Sequence, residues 1–197
     1  MCGIAGFYNP EENYLEKKQK WQQVLEAMNQ AQKRRGPDDE GTYLKPLCGL
    51  AHVRLEIIDL VTGQQPMVKK QAGRECAIVF NGEIYNMKEL KAELTAEGAD
   101  FFTTSDTEVI LAGYMLHGSD YIKKLNGIFA IALWDSVPGA LYLFRDRLGV
   151  KPLFYTRIQD TLVFASEIKG LLAYPGVEPR IDREGLCEVF ALGPAKT

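Results

Sequence analysis

The 197-residue sequence is short of histidine, of paired cysteine and of net charge, and each shortage removes a class of function. It holds two histidines, His52 and His117, and four cysteines, Cys2, Cys48, Cys76 and Cys187, with no C-x-x-C pair. Cys48 and His52 lie four apart, but without a second pair they do not make a structural zinc centre. Lysine and arginine total 23 against 26 aspartates and glutamates, a net charge of −3, which leaves no basic footprint for nucleic acid. The longest apolar run, Ile128 to Trp134, has seven residues, far fewer than the ~20 that cross a bilayer. No basic, apolar leader opens the chain, and no G-x-x-x-x-G-K-[ST], G-x-G-x-x-G or H-E-x-x-H pattern occurs. Repeats, low-complexity tracts and Pro/Gly/Ser-rich linkers are missing as well. Nucleic acid and membrane are therefore set aside as partners, and the expected setting is cytoplasmic, with reduced thiols.

What remains is the composition of an ordinary globular domain, 46% hydrophobic and 25% charged, at a length that predicts one domain. Gly3 to Tyr8 reads as a buried strand ended by Asn9-Pro10. A helix is expected from Tyr14 to Lys33, where Trp21, Val24, Leu25 and Met28 fall on one face and Gly36-Pro37 stops it. Cys48 to Leu60 and Cys76 to Phe80 read as strands, the second followed by the turn chemistry of Asn81-Gly82. Asn86 with Glu89, and Ser105 with Glu108, have the spacing of capping boxes for helices running to about Ala96 and His117. Strands are expected at Ile128–Trp134, Leu141–Phe144, Leu153–Tyr155 and Leu162–Ala165, then helices near Glu167–Leu172 and Asp182–Ala191.

The strands at Ile128–Trp134 and Leu141–Phe144 do not alternate apolar with polar residues, so both of their faces must be buried. Pro138-Gly139 allows only a short turn between them, which makes the pair antiparallel. Antiparallel strands buried on both faces imply two stacked sheets with helices outside. The expected fold is α+β, a four-layer αββα sandwich with two mainly antiparallel sheets.

Several residues can carry chemistry. If the initiator methionine is removed, Cys2 becomes the N-terminus, and its α-amine, with an ordinary pKa of about 7.7–8, can take the thiol proton without a histidine. If Met1 is retained, that nitrogen is an amide and the base is lost. Asn81-Gly82 can aim a side-chain amide and a backbone N–H at one point, as an oxyanion hole requires, or can simply form a tight turn. Arg54, inside an apolar strand, can hold a carboxylate by a bidentate pair or face solvent. Asp106, in a first helical turn, can favour the helix dipole or bind an ammonium group. Arg35-Gly36-Pro37-Asp38 is a helix stop that can also shape the loop near Cys2. Asp146 to Pro152 is a charged turn, elaborate for a hairpin.

In this order, Cys2-Gly3-Ile4-Ala5-Gly6, Arg35-Gly36-Pro37-Asp38, His52-Val53-Arg54-Leu55, Asn81-Gly82-Glu83-Ile84-Tyr85-Asn86 and Ser105-Asp106-Thr107-Glu108 resemble the glutaminase domain of class II glutamine amidotransferases. Leu125 to Ala130, Arg145 to Tyr155 and Phe164 to Lys169 are similar to the asparagine synthetase branch. The resemblance covers nearly the whole chain and implies the N-terminal-nucleophile fold. It implies a Cys2 thioester formed from L-glutamine, with Asn81 and Gly82 as the oxyanion hole. Arg54 would hold the substrate carboxylate, Glu83 and Asp106 its ammonium, and backbone groups near Leu55, Ile57 and Ile58 would complete the pocket. Residues 1–197 would then be one glutaminase domain without a cofactor of its own. ATP and Mg²⁺ would belong to a C-terminal synthetase domain, whose SGGxDS-type loop is absent from this sequence. The covalently following domain is the expected partner, and a homodimer is left open. The alternatives are a glutaminase domain of another class II enzyme and a non-catalytic glutamine-binding module of the same fold.

Overall fold

A computed structural model describes residues 1–55 and 63–193. Strands β1 (Gly3–Tyr8), β2 (Asp39–Leu44), β3 (Cys48–Arg54), β8 (Phe154–Ile158) and β9 (Thr161–Ala165) form one sheet in the order β2-β3-β1-β9-β8. Strands β4 (Met67–Gln71), β5 (Arg74–Ile84), β6 (Gly127–Asp135) and β7 (Ala140–Arg145) form the second, in sequence order. Every pairing described is antiparallel. Helices α1 (Lys18–Gln32) and α4 (Ile168–Leu172) pack on the first sheet, and α2 (Met87–Ala96) and α3 (Asp106–His117) on the second side. A last helix, α5, spans Arg183–Leu192.

Three apolar layers separate these four. Ala5, Phe7, Ala51 and Val163 meet Val24, Leu25 and Met28 of α1. Ile78, Phe80, Ile131 and Leu133 meet Leu90, Leu94, Ile110 and Leu111 of α2 and α3. Between the sheets, Ile4, Cys48, Leu50, Ala77, Val79, Ala130, Ala132, Trp134 and Phe164 close the middle. The expected αββα sandwich is therefore the observed one. Successive strand residues point to opposite faces, so the members of the middle layer identify which parity faces it. That parity is even in β1 and β3 and odd in β5.

The expected helix from Tyr14 to Lys33 divides into a 3-10 turn, Tyr14–Lys17, and α1, with Asn13 accepting the Leu15 N–H at 3.2 Å. Trp21, expected on the apolar stripe, joins an aromatic cluster with Phe7, Tyr14 and Tyr174. The edge strands β2 and β4 had no signal in the sequence. Both are polar, and an edge strand's place is set by its hydrogen-bonded neighbour more than by burial. The strand from Cys48 ends at Arg54, short of the expected span: Leu55 lies beyond it, and residues 56–60 lie outside the described residues. The turn expected at Asn81-Gly82 is not formed. Strand β5 continues through it for eleven residues, pairing Asn81 with Ala130, Gly82 with Phe129 and Ile84 with Gly127. Partners on β6 supplied what a local turn signal could not weigh.

The Asn86–Glu89 capping box is also absent. The Asn86 side chain donates to the Lys124 carbonyl and accepts the Asn126 N–H, both at 3.0 Å, and makes no cap hydrogen bond to α2. Ser105 does cap α3, accepting the Thr107 N–H at 3.2 Å. Glu108 does not close that box. Its buried carboxylate accepts the N–H groups of Phe102 and Thr103 and the Thr103 hydroxyl, at 2.7–3.1 Å, which ties down the loop ahead of α3.

Candidate active site

At one end of the middle layer the two sheets part, leaving a cleft of about 160 Å³. The parity that fills the core also fills this cleft. Cys2 continues the even face of β1, Arg54 is the even residue ending β3, and Asn81 and Glu83 continue the odd face of β5. Register does the rest. Gly3 pairs with Val53, so the next pair along the same ladder is Cys2 with Arg54. Of the residues expected at a site, the cleft gathers Cys2, Arg54, Leu55, Asn81, Gly82, Glu83 and Asp106. Ile57 and Ile58 lie outside the described residues.

The Cys2 thiol is partly exposed and reaches the Leu55 carbonyl at 3.7 Å. The Cys2 carbonyl accepts from Arg35 Nε at 3.0 Å, and Arg35 faces Glu167 at 3.6 Å. The Asp38 N–H donates to the Arg54 carbonyl at 3.0 Å. The Arg-Gly-Pro-Asp corner thus braces the segment that carries the thiol as well as stopping α1. Met1 lies at the mouth of the cleft, 55% exposed.

Asn81 is 2% exposed, and its side-chain nitrogen Nδ2 has no hydrogen-bond partner among the described residues. A buried donor without a partner costs about 1–3 kcal/mol. Such a cost is offset when a ligand supplies the acceptor. Next to it, the backbone of β5 offers a second donor. The Phe80 N–H is taken by Gln65 Oε1 at 2.6 Å and the Ile84 N–H by Asp106 Oδ2 at 3.4 Å. Alternate amides of a strand point the same way, which sets the Gly82 N–H between them, on the edge lining the cleft. Only glycine fits there, since a Cβ would collide with the Ile128 carbonyl.

Two acidic groups and two basic ones frame the donors. Burial pushes the Asp106 carboxyl up to about 6, against backbone N–H bonds from Ile84 and Thr107, with Glu83 adding to the rise. At neutral pH it is still an anion, suited to an ammonium group. Arg54 is 5% exposed and lines the same cleft. Lys151 was hidden in a charged turn, and its Nζ stands 3.5 Å from Met1 Sδ. The signal for it was the turn itself. Asp146 accepts the N–H groups of Phe129, Leu148, Val150 and Lys151 at 2.9–3.1 Å, and Arg145 holds the carbonyls of Gly149 and Lys151, each at 2.8 Å. Gln65, Ser105 and Thr107 also line the cleft, and no motif had put Gln65 there.

Neither histidine is in the cleft lining. His52 is 1% exposed, and burial, with Arg54 nearby, pulls its pKa down to about 3 although it bonds the Phe80 backbone. His117 pairs with Glu97 at 2.7 Å. Among the described residues no group of three His, Cys, Asp or Glu side chains is arranged to hold a metal, and no helix is long and apolar enough to cross a membrane. A thiol, two convergent donors, an arginine and a carboxylate can together bind an α-amino acid and carry out acyl transfer.

Comparison with known proteins gives the same direction. Residues 1–197 match the family described as the glutamine amidotransferase domain. The chain is 42% identical over 197 residues to glutamine-hydrolyzing asparagine synthetase 3 of Bacillus subtilis (strain 168), covering 100% of this chain and 31% of that protein. It is 39% identical over 173 residues to glutamine-hydrolyzing asparagine synthetase B of Escherichia coli (strain K12), covering 87% of this chain and 30% of that protein. It thus spans about a third of the length of these curated relatives. Among solved structures, the glutamine phosphoribosylpyrophosphate amidotransferase of B. subtilis superposes with a TM-score of 0.70 at 21% identity, over 87% of this chain and 43% of that one. That likeness is one of fold.

Proposed function

The chain belongs to the glutamine amidotransferase domain family, and from that membership we propose that it hydrolyses the side-chain amide of L-glutamine to glutamate and ammonia through a thioester on Cys2. With Met1 removed, the α-amine of Cys2 takes the thiol proton and the thiolate attacks the amide carbon. The Asn81 side chain and the Gly82 N–H hold the oxyanion. As the tetrahedral adduct collapses, the carbon–nitrogen bond breaks, the nitrogen takes the proton back and ammonia leaves. Water then adds to the thioester, releasing glutamate and restoring the thiol. Arg54 pairs with the substrate carboxylate, and Glu83 and Asp106 with its ammonium. Leu55 lines the same pocket.

The observation that carries this reading is the buried, unpartnered Asn81 Nδ2 in the same cleft as Cys2. Of the buried side-chain polar atoms without a partner among the described residues, it alone belongs to a residue lining this cleft. The absence of histidine from the cleft lining fits a cysteine that uses its own amine.

The relatives support a reading of the parent activity as well. Residues 1–197 act as one glutaminase domain that supplies ammonia for asparagine synthesis from aspartate and ATP on a following C-terminal domain, where ATP and Mg²⁺ are used. The whole-chain identity of 42% to an asparagine synthetase, and a length about a third of it, support that assignment. Four free thiols suit a reducing cytoplasm. Intact mass combined with glutamate release tests the core of the proposal. Protein lacking Met1 should convert glutamine to glutamate, and Cys2→Ala should abolish conversion. Undiminished turnover in Cys2→Ala would overturn the mechanism.

A further inference from the structure

The outer edge of β5 raises a question of length. Beyond the end of β4, whose last pair is Met67 with Ile78, the ladder's register would bring Gln65 opposite Phe80. The backbone of Gln65 does not continue the ladder. It is seated against β2, where a Cβ on Gly41 would collide with the Gln65 carbonyl. The side chain takes over instead. Gln65 Oε1 accepts the Phe80 N–H at 2.6 Å, and Gln65 Nε2 donates to Thr107 Oγ1 at 3.2 Å in the first turn of α3. Both ends of the amide are used, so its orientation is determined: only its oxygen can receive an N–H.

These bonds close a frame. One side of it is β5 from Phe80 to Ile84, which contains the two oxyanion donors. The opposite side is the start of α3, which contains Asp106. Gln65 ties the frame at Phe80 and Thr107, and Asp106 ties it at Ile84. On the glutaminase reading, the substrate's amide lies at one part of this frame and its ammonium at another. The separation is the length of the side chain between them. We propose that Gln65 is a positioning residue that holds the oxyanion donors at a set distance from Asp106, and thereby selects glutamine over the amide one methylene shorter, asparagine. Gln65 acts through Phe80 and Thr107, the residues its amide bonds. This inference rests on the glutaminase reading.

Binding measured in a Cys2→Ala background tests it without turnover. Kd is determined for L-glutamine and L-asparagine in that background alone and with Gln65→Met, Thr107→Val or Thr107→Ser added. Gln65→Met and Thr107→Val each remove the tie, and each should narrow the asparagine-to-glutamine Kd ratio by at least about fivefold, the worth of one lost hydrogen bond. Thr107→Ser keeps the hydroxyl and should keep the ratio. A residue that serves folding alone would lower the fraction of competent protein and leave the ratio unchanged. If Gln65→Met does not fold, Thr107→Val decides the matter. An unchanged ratio, in a protein whose Cys2 form hydrolyses glutamine, overturns the role of Gln65 only. Failure of the Met1-free Cys2 form to hydrolyse glutamine overturns the glutaminase reading itself.

Discussion

Asn81 shows how much can depend on one side chain. Its Nδ2 is buried and has no partner among the described residues, which leaves a hydrogen bond that a ligand can accept. If that ligand is the oxyanion of the tetrahedral adduct, truncation should fall on kcat more than on binding. Asn81→Ala is expected to lower kcat by about 10²–10³-fold, the range for one lost oxyanion donor, while KM for glutamine changes little. Steady-state kinetics decide this, and a loss confined to KM would assign Asn81 to ground-state binding. The sequence allowed two readings of Asn81-Gly82. The dipeptide is the strongest short-range hairpin signal, yet here it lies in mid-strand. Its neighbours on β6 and the collision a Cβ would meet at Gly82 are tertiary facts.

The turn from β7 to β8 makes the case for whole elements. A charged, eight-residue link between strands reads as a solvated surface feature until its carboxylate is located. Asp146 is 6% exposed and accepts four backbone N–H groups. Burial alone would raise its pKa, but those donors outweigh burial and hold it below the usual carboxylate range. The link is folded around this anion, and Lys151 is delivered to the cleft as a result. Asp146→Asn places an amide where the donors converge and should cost roughly 2–3 kcal/mol of stability. Urea unfolding would measure the change, and a shift below 0.5 kcal/mol, that of an ordinary surface site, would refute it. Helices were legible wherever an apolar stripe or an N-cap marked them, as with α1 and Ser105. Edge strands β2 and β4 were not, because their residues carry little hydrophobic signal and gain their place from a partner strand.

For the molecule as a whole, His52, Asp106 and Glu75 have shifted pKa values that bear on the response to mild acid, and Asp146 and Asp135, also held low, add to it below 3.8. His52 protonates near 3 in the fold against 6.5 ordinarily, so the unfolded chain takes up the proton first, and stability is lost as pH falls from 6.5 towards 3. Asp106 has the opposite sign. At about 6 against an ordinary 3.8, the folded state protonates first, and stability is gained as pH falls from 6 to 4. Each group contributes about 1.4 kcal/mol per pH unit across its window, so over that range they nearly cancel. Glu75 joins the two sheets by accepting from Tyr43 at 2.5 Å and pairing with Lys45 at 2.9 Å and Lys70 at 3.2 Å. Burial works against its charge, but these partners prevail and hold it at about 2 against 4.5, so its contribution is lost below 4.5. Urea midpoints across pH should therefore stay nearly level from 6 to 4.5 and fall below it. In Asp106→Asn the offset is gone, and the decline should start near 6.5. Superimposable profiles for the two proteins would exclude this balance.

The sandwich and most of the site were legible without coordinates because they depend on local quantities. Two apolar runs joined by a short turn require two buried faces, and period-two alternation fixes which side chains share a face. The motif order, from Cys2 to Glu108, pointed to the same family as the comparison with known proteins. Alternation cannot say which neighbour a strand edge will meet. The Gln65 bridge and the arrival of Lys151 beside Met1 each depend on groups far apart in the chain brought together by packing and register. A hydrogen bond between distant residues has no local signature, so the frame around the cleft emerged only when the two sheets and α3 came together.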